Sequence, residues 1–175
     1  MIIMETTRDI HEIEKDIARY FGIRENIIVP NVSWGFFKTH EADMIVINKS
    51  GYMTEVEIKR SYADFLADFK KTTNHFEGKV DKLYYCVPAS IYEKVRDFLM
   101  KEVRWSNYGF KRTVNICPVG IMTYTDNGDL KIVNEAPHVQ TFMQKNLKDY
   151  KLYLEEQLAI ARLGTMRYWS KQLNM

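Results

Sequence analysis

The chain has 175 residues, 46% of them hydrophobic and 27% charged, with a formal net charge of +2 at pH 7. Those values describe one soluble domain with room for a sizeable core, and the weak charge permits a nucleic-acid partner through a local patch without demanding one. Two cysteines, Cys86 and Cys117, read as buried free thiols rather than a zinc cluster; the early polar turn at Glu5 argues against a signal peptide, and no apolar run is membrane-length, so a cytoplasmic protein without a membrane partner is expected.

Residues 5–22 predict a helix. Thr6 or Thr7 can cap it and Gly22 can end it. Ile10, Ile13, Ile17 and Phe21 make one apolar face. Glu14 lies within that stripe, about 40° from Ile10. An acid there needs a partner or a task, unless it reaches water from the boundary. His11 reads as a surface residue.

Residues 27–38 predict a strand broken at Pro30, followed by an aromatic extended piece. Trp34, Phe36 and Phe37 either fill the core or stack on bases. His40 stands next. It is placed to touch phosphate or a metal-bound water, or neither.

Residues 40–59 predict a β-hairpin. Its arms alternate or run apolar at strand length and meet at Asn48-Lys49-Ser50-Gly51. A three-residue loop with Gly51 in the left-handed position sets Asn48 opposite Tyr52, and counting back sets Asp43 opposite Glu57. Facing residues have Cβ atoms about 5 Å apart. Lys59, two residues beyond Glu57, shares that face. Two carboxylates held together repel unless something neutralises them. Mg²⁺ suits such a pair, because it takes one or two carboxylates plus phosphate oxygens and water. A two-residue loop would turn Asp43 to the other face. The bland alternative is a solvated hairpin face carrying ordinary charges.

Ser61 is a good N-cap for the helix that follows, with Asp64 at the capping-box position. Phe65, Leu66 and Phe69 give its buried face. Its N-terminal amides are expected near the carboxylates, favourable for a phosphate. Arg60, Ser61, Lys70 and Lys71 are candidate nucleic-acid contacts. The alternative for the lysines is a solvated pair complementing the helix dipole.

Asp81 to Pro88 reads as a strand, and Ser90 caps a helix to about Lys101 with Ile91, Val95, Phe98 and Leu99 inward. Strand and helix in alternation argue for a mixed α/β sheet with crossovers. Residues 104–112 read as a loop and 114–124 as one or two strands. The turn Asp126-Asn127-Gly128-Asp129 returns the chain through Leu130 to Val133 as an edge hairpin. From about Val139 to near Leu173 the pattern is helical, with a possible break at Gly164. That long helix packs on the domain, dimerises, or lies along a phosphate backbone.

An acid-bearing first helix, then Asp43, then Glu57-Ile58-Lys59 inside an apolar strand, then a helix, is similar to the PD-(D/E)XK nuclease superfamily. More narrowly, the run Val56-Glu57-Ile58-Lys59-Arg60-Ser61-Tyr62-Ala63-Asp64-Phe65-Leu66-Ala67-Asp68-Phe69-Lys70, with Asp81 to Pro88 behind it, resembles the MmcB-like DNA repair proteins. The likeness spans roughly residues 10–135 and departs at the long Lys/Arg-bearing C-terminal helix. It implies a restriction-endonuclease-like α/β fold, a mixed four- or five-stranded core flanked by helices. The expected division is a nuclease-like domain over 1–137 and a helical extension over 138–175 packed on it.

The resemblance further implies Mg²⁺- or Mn²⁺-dependent cleavage of DNA phosphodiester bonds in repair or recombination. Asp43 and Glu57 would bind the metal. Lys59 would orient or activate the attacking water, and Glu14 would be the helix acid. The superfamily's proline is absent, since Glu41-Ala42 precede Asp43. The alternative is a catalytically idle nuclease-fold module that binds nucleic acid or a protein partner. A homodimer would suit two-strand cleavage.

Overall fold

The computed structural model describes residues 6–33, 37, 40–68, 79–101, 117–141 and 147–173. The fold is α/β: a six-stranded mixed sheet flanked by four helices, the last of them long. In chain order the elements are α1 (Ile10–Phe21), β1 (Ile27–Val32), β2 (Ala42–Ile47), β3 (Met53–Ile58), α2 (Tyr62–Asp68), β4 (Val80–Pro88), α3 (Tyr92–Lys101), β5 (Gly120–Tyr124), β6 (Leu130–Asn134) and α4 (Leu154–Gln172). Short 3₁₀ turns precede α3 and α4.

The strands lie side by side in sequence order. β2 runs antiparallel to both its neighbours, β1 and β3; β3, β4 and β5 run parallel, and β6 returns antiparallel at the far edge. The two parallel steps are crossovers through α2 and α3. Period-two alternation gives the sheet two core faces. Met44, Val56, Ile58, Tyr84, Cys86 and Met122 face α1, which buries Ile13 and Ile17 against them. Leu83, Tyr85, Val87 and Ile121 face α2 and α3, whose Phe65, Val95 and Leu99 are buried. On that second face, Val29, Ile45, Ile47 and Met53 pack against Leu152 and Ile160 of the C-terminal segment.

Several boundaries differ from expectation. α1 begins at Ile10, not at residue 5, because Asp9 is the cap. The Asp9 carboxylate accepts the His11 amide at 2.7 Å, and Glu12 reaches back to the Asp9 amide at 3.0 Å. Thr6 instead donates to Asp126 at 2.6 Å, tying the N-terminal segment to the β5–β6 turn. β1 runs through Pro30 without breaking. It is an edge strand, so a missing amide is tolerated there, and the irregularity appears one residue on, at Asn31 with φ 51°. Among the described residues the sheet has six strands, where four or five were expected.

The region from Val139 is not one helix. Val139–Thr141 and Leu147–Tyr150 are 3₁₀ turns, and α4 starts only at Leu154. Gly164 does not break α4. A Cβ there would sit 3.3 Å from a Val29 methyl, so the glycine lets the helix approach β1. Cys86 is buried and Cys117 partly so, both as free thiols. Residues 104–112 and the start of the expected 114–124 strands lie outside the described residues, as do Trp34 and Phe36, while Phe37 is buried in the core.

Candidate active site

The hairpin has the expected register. Gly51, at φ 84°, donates its amide to the Asn48 carbonyl at 2.8 Å, and the Asn48 amide donates to Tyr52 at 3.1 Å. Ile47 then faces Met53 and Met44 faces Val56, which brings Asp43 opposite Glu57. The Asp43 amide lies 3.4 Å from Glu57 Oε1. The Ile58 amide donates to Asp43 Oδ2 at 2.8 Å, so the carboxylate is turned toward β3.

Lys59 follows the last residue of β3, and its backbone is held on both sides. Its amide donates to Cys86 on β4 at 2.9 Å, and the Tyr124 hydroxyl donates to its carbonyl at 3.3 Å. Its ammonium donates to Glu57 Oε2 at 2.8 Å and stands 3.2 Å from Asp68 Oδ1. Asp68, the last residue of α2, is oriented in turn by the Tyr85 hydroxyl, which donates to Oδ2 at 3.0 Å. Glu57, Lys59 and Asp68 are buried, while Asp43 is half-buried.

This arrangement sets the charges. Burial raises the Asp43 pKa above the ordinary carboxylate value. Lys59 and the Ile58 amide act against that shift, and Asp68 and Asp64 reinforce it. For Lys59, burial works against the charged form, but Glu57, Asp68 and Asp43 outweigh it, so its pKa is raised. Lys59 is therefore a fixed cation across the physiological range.

Asp68, Tyr85 and Glu55 escaped the sequence reading. Asp68 falls three residues after Phe65, so an acid on the buried side of α2 was legible, but its reach to Lys59 was not. Tyr85 lies beside Glu57 in the β3–β4 register. Glu55, two residues before Glu57 and on its face, has no exposed surface, and its Oε1 is 3.0 Å from His40 Nε2. His40, expected at a phosphate or metal-bound water, is instead buried in that pair.

Glu14 does not join Asp43 and Glu57 directly. Its Oε2 pairs with His11 Nδ1 at 2.8 Å, and its Oε1 lies 3.5 Å from Asn31 Nδ2. Asn31 stands between Pro30 and Val32, whose partners Met44 and Ala42 flank Asp43. α1 packs on the Met44/Val56 face of the sheet, and no contact among the described residues links Glu14 to Asp43, Glu57 or Lys59.

Ser61 leaves the set of candidate nucleic-acid contacts. It is 1% exposed, and its hydroxyl accepts the Asp64 amide at 3.1 Å as a helix cap. The Asp64 carboxylate accepts the Arg60 amide at 3.2 Å. The Asp64 and Arg60 amides are therefore satisfied within the chain. The Arg60 Nε is buried with no hydrogen-bond partner among the described residues. Lys70 and Lys71 lie outside the described residues.

Among the described residues no group of three or more His, Cys, Asp or Glu is spaced to hold a metal. Asp43 and Glu57 form a pair, which is the donor number Mg²⁺ ordinarily draws from protein. The Asp43 carboxylate, raised in pKa and half-open to solvent, is the group a cation would favour in its ionised form. On those grounds the pair fits Mg²⁺ or Mn²⁺ with water and phosphate oxygens completing the shell.

No family model matches the chain, and no curated protein matches it. Among solved structures it is similar to a protein of unknown function from Silicibacter pomeroyi, with a TM-score of 0.58 and 17% identity, over 90% of this chain and 87% of that one. At that identity the likeness shows the fold alone.

Proposed function

We propose that the protein is a metal-dependent nuclease that hydrolyses DNA phosphodiester bonds, acting in repair or recombination. The supporting observation is the convergence of Asp43 and Glu57 on neighbouring strands with the ammonium of Lys59 2.8 Å from Glu57. Asp43 and Glu57 would hold Mg²⁺ or Mn²⁺. A bound divalent ion lowers the pKa of its water and offsets charge on a phosphoryl oxygen.

The remaining steps belong to the chain. Lys59 stays protonated, so it does not serve as the general base. Held by Glu57 and Asp68, its ammonium is fixed where negative charge grows on the phosphate during attack, which is the arrangement that stabilises a transition state without reorganisation. Tyr85 and Asp68 position Lys59 and touch no substrate. Glu14, paired with His11 on α1, is given no step in this reading.

One observation favours the second reading, an idle binding module. Glu57, Lys59 and Asp68 already pair with one another inside the protein. The test is titration of Mn²⁺ into the wild type and Asp43→Ala by calorimetry, with a nicking assay on supercoiled and branched DNA. Binding and cleavage present in the wild type and lost together in the variant support the nuclease. No heat and no nicking from either protein would favour the idle module.

A further inference from the structure

We propose that the protein carries a second ligand site, which takes a nucleoside monophosphate, at the starts of β3 and β4 on the face of the sheet that α1 covers. A cavity of about 300 Å³ opens there, a size at which small-ligand pockets begin. It is separate from the candidate active site. Asp43 and Glu57 alternate with Met44 and Val56, so they belong to the other face of the sheet, and Lys59 follows the far end of β3. Val46, Thr54 and Tyr84 share the face of Met44 and Val56, and they line the cavity.

The polar wall of the cavity is built from residues held in place. The β3–β4 register slips between Met53 and Thr54, whose partners are Val80 and Lys82, so Asp81 is an extra residue in β4. Asp81 is 2% exposed, and both of its oxygens are committed. Oδ2 lies 2.7 Å from His138 Nδ1, and Oδ1 accepts the Val139 amide at 3.3 Å. The first contact fixes the His138 ring and leaves Nε2 as the nitrogen that can meet a ligand. Tyr84 is fixed as well. Its hydroxyl donates to Glu135 Oε2 at 2.7 Å, and Gly120 makes room for its ring, which a Cβ at that position would overlap.

The chemistry of the lining selects the ligand. The Lys82 ammonium stands 3.9 Å from Glu135, outside hydrogen-bond distance, so Lys82 and His138 are two cationic donors beside Asp81 for a phosphate. An imidazolium donates from both nitrogens, and Asp81 on Nδ1 with a phosphate oxygen on Nε2 suits that form. Phe21 and Ile132 are partly buried apolar walls beside Val46, a slot for a flat base. Asn48 spends its Oδ1 on the Ser50 and Tyr52 amides, and Asn26 its Nδ2 on the Phe21 carbonyl. That leaves one amide donor and one amide acceptor for the edge of the base. Glu135 Oε1 is left to accept from a sugar hydroxyl. A bare anion would use only Lys82 and His138.

The test does not depend on the nuclease reading. Calorimetry of the full chain should show binding of adenosine 5′-monophosphate, with adenosine and inorganic phosphate each weaker by about tenfold or more. Lys82→Gln should lower the nucleotide affinity by about tenfold or more, the worth of a charged hydrogen bond. His138→Asn should do the same at an unchanged Tm, because the asparagine amide nitrogen can replace Nδ1 beside Asp81 while Nε2 is lost. Asp43→Ala should bind the nucleotide as the wild type does. No heat with the nucleotide at millimolar concentration, or an affinity that neither Lys82→Gln nor His138→Asn changes, would overturn the proposal. So would phosphate binding as tightly as the nucleotide, which leaves a plain anion site. Loss of nucleotide binding in Asp43→Ala would overturn it too, by moving the ligand to the candidate active site.

Discussion

At the scale of single residues, the candidate site is a contest between burial and charge. The Asp43 carboxyl is held above its ordinary value of 3.8, chiefly by burial. A carboxyl whose pKa is raised by folding costs no stability below its unfolded value, and the full penalty applies once the pH passes its folded value. Asp43→Asn should therefore raise Tm in metal-free buffer at pH 7 and leave it unchanged at pH 3, at about 2–4 °C per kcal/mol relieved. Adding Mn²⁺ should raise the wild-type Tm and not that of the variant. Thermal scans at the two pH values check both statements.

Lys59 behaves in the opposite sense. Its raised pKa contributes stability that is fully present at neutral pH and is lost only as the pH rises through the folded value. Lys59→Met would leave Glu57 and Asp68 buried without their shared cation, at a cost of about 3–5 kcal/mol by urea denaturation. Tyr85→Phe removes one hydrogen bond to Asp68 and should cost about 1–3 kcal/mol. If Tyr85 positions Lys59 through Asp68, the nicking rate falls in that variant while Mn²⁺ affinity stays at the wild-type value.

At the scale of elements, the β2–β3 turn carries more than the hairpin. Gly51 has φ 84°, and its carbonyl accepts the Leu152 amide at 2.9 Å. A Cβ there would meet the Leu152 carbonyl at 3.2 Å and Gln157 Nε2 at 2.9 Å. Gly51→Ala should therefore cost about 1–2 kcal/mol from the backbone alone, with the C-terminal contact adding to it. The turn that sets Asp43 opposite Glu57 is thus also the seat of the segment leading into α4. Hydrogen exchange would show the loss spreading from the turn to residues 150–160.

At the scale of the whole molecule, residues 138–175 complete the core. Val139 and Tyr150 sit in the cluster beneath α2 and α3, and Leu152 and Ile160 in the one over β1 and β2, none more than 4% exposed. Burying each such side chain is worth about 1.5–3 kcal/mol, so losing four removes about 6–12 kcal/mol. That equals most of the ordinary stability of a domain. A chain ending at residue 137 should accordingly lack a cooperative melting transition, whereas Leu173→Ala, at an exposed position, should melt as the wild type does.

The sequence by itself determined what depends on short range. The strand period and the left-handed demand of the turn placed Asp43 opposite Glu57 and put Lys59 on their face. Alternation of strands and helices set the α/β class, and the stripe of Ile13 and Ile17 set the buried side of α1. Tertiary structure decided what depends on how elements cross. Asp68 reaches Lys59 only because α2 folds back across β4 before the chain enters it. His40 turns inward because Glu55 lies buried on the neighbouring strand. Ser61 is closed off from any ligand by the packing around its own helix. Gly164, a breaker by propensity, remains helical because close contact with Val29 offsets its cost of about 1 kcal/mol. Local pattern specifies periodicity and handedness, but distances between residues on different elements follow from core packing, which no single stretch of chain encodes.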